Sequence, residues 1–235
     1  MSGTGVALDP EVVLATGWAE PLFEALGAQE IASMDMSASE GAELVHNLNE
    51  PLPDELRGRF TALVDGGTME HVFNVPVALE SVARLLEPGG HALLWNPGNN
   101  YFGHGFYQFS PEFYWRVLPA HGLDVACVLY KEDVGGSWYE VADPWMLGRP
   151  VLLGRGRPAL LYTLARKTSD RREPVVQADY ALDWYAGWPR ARPLARRGVA
   201  GFVRRRLPRG LVSALRRVRN RPQKRDPEAF RRVEL

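Results

Sequence analysis

The chain has 235 residues, 46% of them hydrophobic and 24% charged, enough for one sizeable core and too ordinary a composition for a fibrous or disordered protein. Its formal charge is zero, from 28 Lys+Arg against 28 Asp+Glu, but residues 187–235 hold 16 basic and 3 acidic side chains, a balance of +13 that leaves −13 on the rest. Neutrality is therefore the cancellation of an acidic body by a basic tail.

Cys127 is the only cysteine, which excludes an intrachain disulfide and a Cys-based zinc cluster within one chain and points to a reducing, cytoplasmic compartment. Its apolar surroundings, Val-Ala-Cys-Val-Leu, suit a buried structural thiol. The N-terminus lacks a basic patch followed by an apolar stretch, so no signal peptide is expected. Residues 88–111 carry no Lys, Arg, Asp or Glu, yet their glycines, asparagines and Pro97 mark a loop-bearing segment and not a membrane span.

In chain order, Trp18 to Ala28 places Leu22, Phe23 and Leu26 on one helical face, with Gly27 as terminator. Short strands are expected at Glu30 to Met34 and Leu44 to Leu48, and a stronger one at Phe60 to Val64, ending at Asp65-Gly66-Gly67. Val75, Leu79, Val82, Leu85 and Leu86 recur at helical spacing until Pro88-Gly89-Gly90 breaks the pattern, and His91 to Trp95 reads as the next strand. Pro111 to Leu118 predicts a helix, and Leu123 to Tyr130 and Ala159 to Ala165 predict two long strands flanking an irregular stretch. This order predicts a helix-flanked, Rossmann-like α/β sheet, mainly parallel, with a C-terminal antiparallel strand pair.

Three domains of the sequence follow: an α/β body at 1–167, a polar linker at 168–189, and a tail at 190–235. In the tail, Val199, Val203, Leu207, Leu211, Leu215 and Val218 step by three or four between arginines. Pro208 and Gly210 split it into two short amphipathic helices.

The segments SMDMS at 33–37, VHNLNEPLP at 45–53 and, above all, FTALVDGGTMEHVFNVPVALESVARLLEPGGHALLWNP at 60–97 resemble class I S-adenosylmethionine-dependent methyltransferases of the small-molecule type. The last block is similar to that family's fourth strand, following helix and fifth strand, with LEPGG as the intervening turn. The resemblance implies S-adenosylmethionine as cofactor. It puts Asp35 at the ribose hydroxyls, where a carboxylate can accept two hydrogen bonds. Met36 would lie on the adenine, Asn47 with the Leu48 backbone at the adenine amine, and Asp65, Gly66 and Gly67 beside the methionine portion. The family's first strand and Gly-x-Gly turn should precede Trp18. Residues 1–17 offer either a degenerate strand at Glu11 to Ala15 turning at Thr16-Gly17, a lost strand, or a start placed too late.

Methyl transfer is an in-line displacement that needs alignment and, for a hydroxyl acceptor, a general base. His71, beside Glu70 in TMEHV, and His104 are the candidate bases, although Glu70-His71 at a helix start also serves capping or core polarity. Some relatives bind a divalent metal through Glu-x-x-Glu-His; the first position here is Gly67, so no metal is expected. The segment 96–115 carries 8 of the 24 aromatic residues. With Asn99, Asn100, Tyr107 and Gln108 as neutral donors and acceptors beside flat rings, it suits a saccharide or similar hydroxylated acceptor, while Phe109, Phe113 and Tyr114 also suit packing of the next helix.

The expected activity is O-methylation of such an acceptor. The alternative is a catalytically inactive methyltransferase-fold scaffold acting through its basic tail. For the tail, an anionic membrane surface ranks first, docking on the acidic body or a partner second, and nucleic acid third. Cytoplasmic location with membrane association follows.

Overall fold

The computed structural model describes residues 18–133, 136–153, 157–177 and 228–233. The chain divides into two units, Met1–Leu48 and Asn49–Leu235. The strand expected at 11–15 and most of the basic tail lie outside the described residues.

In the first unit, helix α1 (Glu20–Ala25) opens with Pro21 in its first turn and has no buried residue. Strands β1 (Met34–Asp35) and β2 (Leu44–Val45) pair in parallel, Met34 with Leu44 and Asp35 with Val45. They are shorter than the runs the sequence suggested. Glu43 clamps them by accepting from both the amide and the hydroxyl of Ser33, each at 2.7 Å, and these bonds hold its carboxyl below the usual range.

The second unit is a six-stranded sheet with order β3-β4-β7-β5-β6-β8. Its strands are β3 (Phe60–Asp65), β4 (Leu86–Asn99), β5 (Leu123–Glu132), β6 (Trp138–Val141), β7 (Ala159–Lys167) and β8 (Phe230–Val233). Helix α2 (Val75–Leu85) crosses from β3 to β4, which run parallel, as a β–α–β unit requires. The other four pairings are antiparallel, so the antiparallel part extends well beyond the expected strand pair.

Period-2 alternation sorts the sheet faces. Ala92, Leu94 and Asn96 of β4 and Ala159, Leu161, Thr163 and Ala165 of β7 are fully covered. Against them α2 buries Val75, Leu79, Val82 and Leu85, members of the stripe predicted from spacing, together with Ala78, each large member contributing about 2 kcal/mol. Helix α3 (Pro111–Ala120) adds Tyr114, Val117 and Leu118; its cap is Ser110, whose hydroxyl accepts from the Phe113 amide at 3.3 Å. On the opposite face Trp95 stacks on Tyr162 at 6.0 Å and Tyr162 meets Trp138 at 4.8 Å, but Val64 and Leu164 remain exposed. Cys127 is only half-buried on this sheet; burial still pushes its thiol up.

Two strands were not legible in the sequence. One, β6, lies in the stretch read as irregular. The other, β8, ends the segment expected to be helical throughout 190–235, and this is a correction: Phe230–Val233 pairs with β6 from Val141↔Phe230 to Trp138↔Val233. Packing overrides the charge pattern there, since Phe230 is buried edge-on against Tyr130 at 5.6 Å while Arg231 pairs with Glu140. Glu228 meets Arg149 at 2.6 Å. A short helix, α4 (Pro144–Leu147), follows β6, capped by the Asp143 carboxylate, which accepts from the Trp145 amide at 2.9 Å.

Lys167 is a further polar contributor to the core. Only 3% exposed, its Nζ donates to the Ala83 and Leu86 carbonyls at 2.8 Å each and meets Asp170 Oδ1 at 2.8 Å. It thereby satisfies carbonyls left open at the end of α2. The ammonium holds the Asp170 carboxyl below its ordinary value.

Candidate functional site

The site grows from the end of β3. Asp65 Oδ1 accepts from the Thr68 amide at 2.8 Å, turning the chain through Gly66 and Gly67 into the 3-10 turn Met69–His71. Gly66 is required by packing: a Cβ there would stand 2.6 Å from the Trp95 ring. The turn points Glu70 inward, to 1% exposure, and leaves His71 outside.

Burying two carboxylates demands compensating partners. Asn96 supplies them, its Nδ2 donating to Asp65 Oδ2 at 2.9 Å and to Glu70 Oε2 at 3.1 Å. Tyr114 completes the network by donating its hydroxyl to Asn96 Oδ1 at 2.7 Å. Burial, followed by the negative charges of Asp65 and Glu70, holds the Tyr114 phenol well above its ordinary value, so it remains a donor. No lysine or arginine pairs with either carboxylate among the described residues.

The loop after β4 is drawn onto this network. Phe106 and Tyr107 both donate their amides to the Glu70 carbonyl, at 2.7 and 3.3 Å. Gly105 makes the approach possible, because its φ is +69° and a Cβ would fall 2.7 Å from that carbonyl oxygen. As a result His104 Nε2 lies 3.3 Å from Glu70 Oε1, and the His104 and His71 rings meet edge-on, 4.8 Å between centroids. The two candidate bases, 33 positions apart in sequence, thus share one carboxylate-backed cluster.

The predicted acceptor residues divide. The Tyr107 hydroxyl donates to the Phe73 carbonyl at 2.8 Å and Gln108 Oε1 accepts from the Tyr101 amide at 2.7 Å, so these atoms shape the loop itself. Asn99 donates weakly to the Arg157 carbonyl at 3.5 Å, and Asn100 takes a positive φ of 57° at the turn. Phe73, Phe102 and Phe106, close to the histidines in sequence, are exposed. Tyr101 flanks His104 at 5.7 Å; burial, then a hydrogen bond and repulsion from Asp133, pushes its phenol up to about 12. Phe109 and Tyr114 are buried, and Phe113 packs on Phe109 at 4.9 Å, so these rings serve the helix.

The remaining predicted cofactor residues lie in the first unit. Asp35 ends β1, exposed; its Oδ1 accepts from the Ser37 amide at 2.9 Å and Oδ2 has no partner among the described residues. It borders a cavity of about 560 Å³ together with Trp18, Pro21, Ser33, Met34 and Gly41. Met36 is exposed, and Asn47 and Leu48 are half-buried just beyond β2. In the second unit, Asp65 is committed to Thr68 and Asn96, and Gly66 and Gly67 form the turn that carries Glu70.

What sequence reading missed is the pair Asn96 and Tyr114. An Asn at the end of an apolar strand was the available signal.

No family model matches the sequence, and no curated protein matches it. Among solved structures, a Bacillus halodurans protein provisionally described as a methyltransferase is 11% identical, with 64% of this chain and 87% of that one covered and a TM-score of 0.45. An S-adenosylmethionine-dependent methyltransferase from Mesorhizobium loti is 17% identical (64% and 86% covered, TM-score 0.43). The 1,6-didemethyltoxoflavin-N1-methyltransferase of Burkholderia thailandensis, solved with S-adenosylhomocysteine, is 13% identical (63% and 66% covered, TM-score 0.43). The strand pairings of the present chain describe an α/β sheet with one parallel β3–α2–β4 unit, extended by four antiparallel pairings. Its β3–α2–β4 unit occupies residues 60–99, the block whose sequence resembles the class I methyltransferases.

Proposed function

We propose that the protein is an S-adenosylmethionine-dependent methyltransferase that O-methylates a saccharide or another hydroxylated acceptor. The observation that supports this reading is the carboxylate-backed histidine pair: buried Glu70, fixed by Asn96, holds His104 at 3.3 Å, with the His71 ring against it. Such an arrangement orients an imidazole to take the proton of an acceptor hydroxyl. The exposed Phe73 and Phe106, edge-on at 5.9 Å, offer a flat apolar wall for the acceptor's carbon skeleton.

The donor set of the first unit fits the cofactor. Among the described residues Asp35 Oδ2 has no partner, and the carboxylate borders a cavity of nucleoside size, which suits a ribose diol; exposed Met36, the next residue, would cover the adenine. The bound cofactor supplies an electrophilic methyl on its sulfonium. This chain's own contribution is to orient the acceptor and move its proton to His104 or His71. Calorimetry with S-adenosylmethionine tests the reading directly: a saturable heat and a rise in melting temperature are expected. Absence of both sinks it and favours the non-catalytic scaffold.

For the basic stretch we infer an anionic lipid surface as partner, supported by its arginines interleaved at helical steps with Val and Leu. No helix among the described residues is long and apolar enough to cross a membrane. Because β8 belongs to the sheet, the test deletes residues 190–227 and keeps 228–233. Flotation with phosphatidylserine vesicles should be lost on deletion, and equal flotation overturns the inference.

A further inference from the structure

We infer that Glu70, His71 and His104 form a binding site for a borderline first-row divalent cation such as Zn²⁺ or Co²⁺. One ligand atom from each of these side chains lies within 4.8 Å of the others. The closest pair, His104 Nε2 and Glu70 Oε1, is 3.3 Å apart. Two ligands of one tetrahedral zinc at about 2.1 Å stand roughly 3.4 Å apart, so that pair already has the separation a shared ion imposes. His71 and His104 are exposed, and rotation about their side-chain bonds can close the third distance without moving the backbone.

Three independent features support this site. Its donor chemistry, two imidazoles and one carboxylate, is the set that takes Zn²⁺, Co²⁺ or Fe²⁺ in preference to the all-oxygen coordination of Mg²⁺ or Ca²⁺. The carboxylate is also braced from behind: Glu70 Oε2 accepts from Asn96 Nδ2 at 3.1 Å, and Asn96 is in turn held by the Tyr114 hydroxyl at 2.7 Å. Outer partners of this kind orient first ligands and sustain affinity. The charge balance points the same way, because Asp65 and Glu70 are both buried on one amide group and no lysine or arginine among the described residues pairs with either. A bound dication would offset a buried negative pair that is otherwise costly.

The sequence pattern around Glu70 and His71, with Gly67 where a second glutamate would stand, argued against a metal because it considered neighbouring positions only. His104 reaches the cluster through the loop after β4, pinned by the Phe106 and Tyr107 amides on the Glu70 carbonyl. The donor set is completed by tertiary structure.

This inference goes beyond the methyltransferase reading but uses the same three side chains: occupancy ties up the His104 lone pair, so general-base action by that imidazole belongs to the cation-free protein. The experiment uses the full chain, stripped with a chelator and titrated calorimetrically with ZnCl₂ in the absence of S-adenosylmethionine and acceptor; Co²⁺ absorption reports the ligand set. One ion per chain is expected. Affinity should fall at least tenfold in His104→Ala and in His71→Ala, and remain unchanged in His91→Ala, an exposed histidine on β4. Glu70→Gln should lose the ion as well; His104→Ala, an exposed position, keeps the test decisive if Glu70→Gln unfolds. Absence of saturable binding, retention of full affinity in His104→Ala, or equal competition by Mg²⁺ overturns the proposal. Failure of S-adenosylmethionine binding leaves these readouts untouched, so the two readings fail separately.

Discussion

The two units differ in what holds them. In residues 18–48 no residue is buried, and the strands are one parallel pair of two residues each. The described residues of the second unit contain a covered sheet face, packed helices α2 and α3 and a polar network within the core. A parallel pair needs cover on its faces to be stable, and among the described residues β1–β2 has only local clamps such as Glu43 on Ser33. The proposed cofactor-gripping carboxylate thus sits on lightly held backbone, whereas the proposed chemical groups sit on a rigid frame. Ligand-gripping segments are drawn from the low-stability end of a structure. The placement of Glu70, by contrast, tolerates little looseness.

The largest effect expected from this contrast is at Asn96. Asn96→Ala leaves Asp65 Oδ2 and Glu70 Oε2 buried without their shared donor, at a cost of about 3 kcal/mol, and a guanidinium melt should show a strongly lowered midpoint. Gly66→Ala comes next, with about 2 kcal/mol lost because the new methyl must displace the Trp95 ring from 2.6 Å. Lys167→Met should cost a similar or slightly smaller amount, about 1.5 kcal/mol, by leaving the Ala83 and Leu86 carbonyls without a donor.

Alkaline pH gives a gentler probe of the second unit. Tyr101 and Tyr114 have phenols raised above the ordinary 10.0, Tyr101 to about 12. A raised folded value means that the unfolded chain loses its proton first, so this stability is complete below pH 10 and declines as pH rises toward 12 and beyond. Burial raises the Tyr162 phenol as well, so spectroscopic titration of tyrosinate should show three phenols lagging the rest. Tyr114→Phe should remove one lagging phenol.

The smallest stability effect belongs to the first unit. Asp35→Ala should shift stability by no more than about 0.5 kcal/mol yet abolish the heat of S-adenosylmethionine binding. Amides of β1 and β2 should exchange with solvent far faster than those of β4 and β7. Equal protection in the two units, or a large destabilisation by Asp35→Ala, breaks the contrast between them.

Much of the second unit was legible in the residues. The stripe Val75–Leu79–Val82 encodes α2 locally, although the helix ends at Leu85 and Pro88-Gly89-Gly90 lies inside β4; the apolar runs of β3, β5 and β7 announce strands. Chain-end strand β8 was not legible, because Arg231 and Arg232 mask a register set by Phe230 packing on Tyr130 and by Glu140 opposite Arg231.

The site shows the same division. Sequence alone determined the β–α–β order of 60–99, the candidate histidines and the acidic-body, basic-tail segregation, since each is written in local spacing or composition. Only the tertiary structure decided that Asn96 bridges two buried carboxylates and that His104 comes to rest beside Glu70. It decided too that Tyr107 and Gln108 spend polar atoms on their own loop. These outcomes depend on hydrogen bonds and close approaches between distant positions, and such contacts leave no periodic mark in the chain.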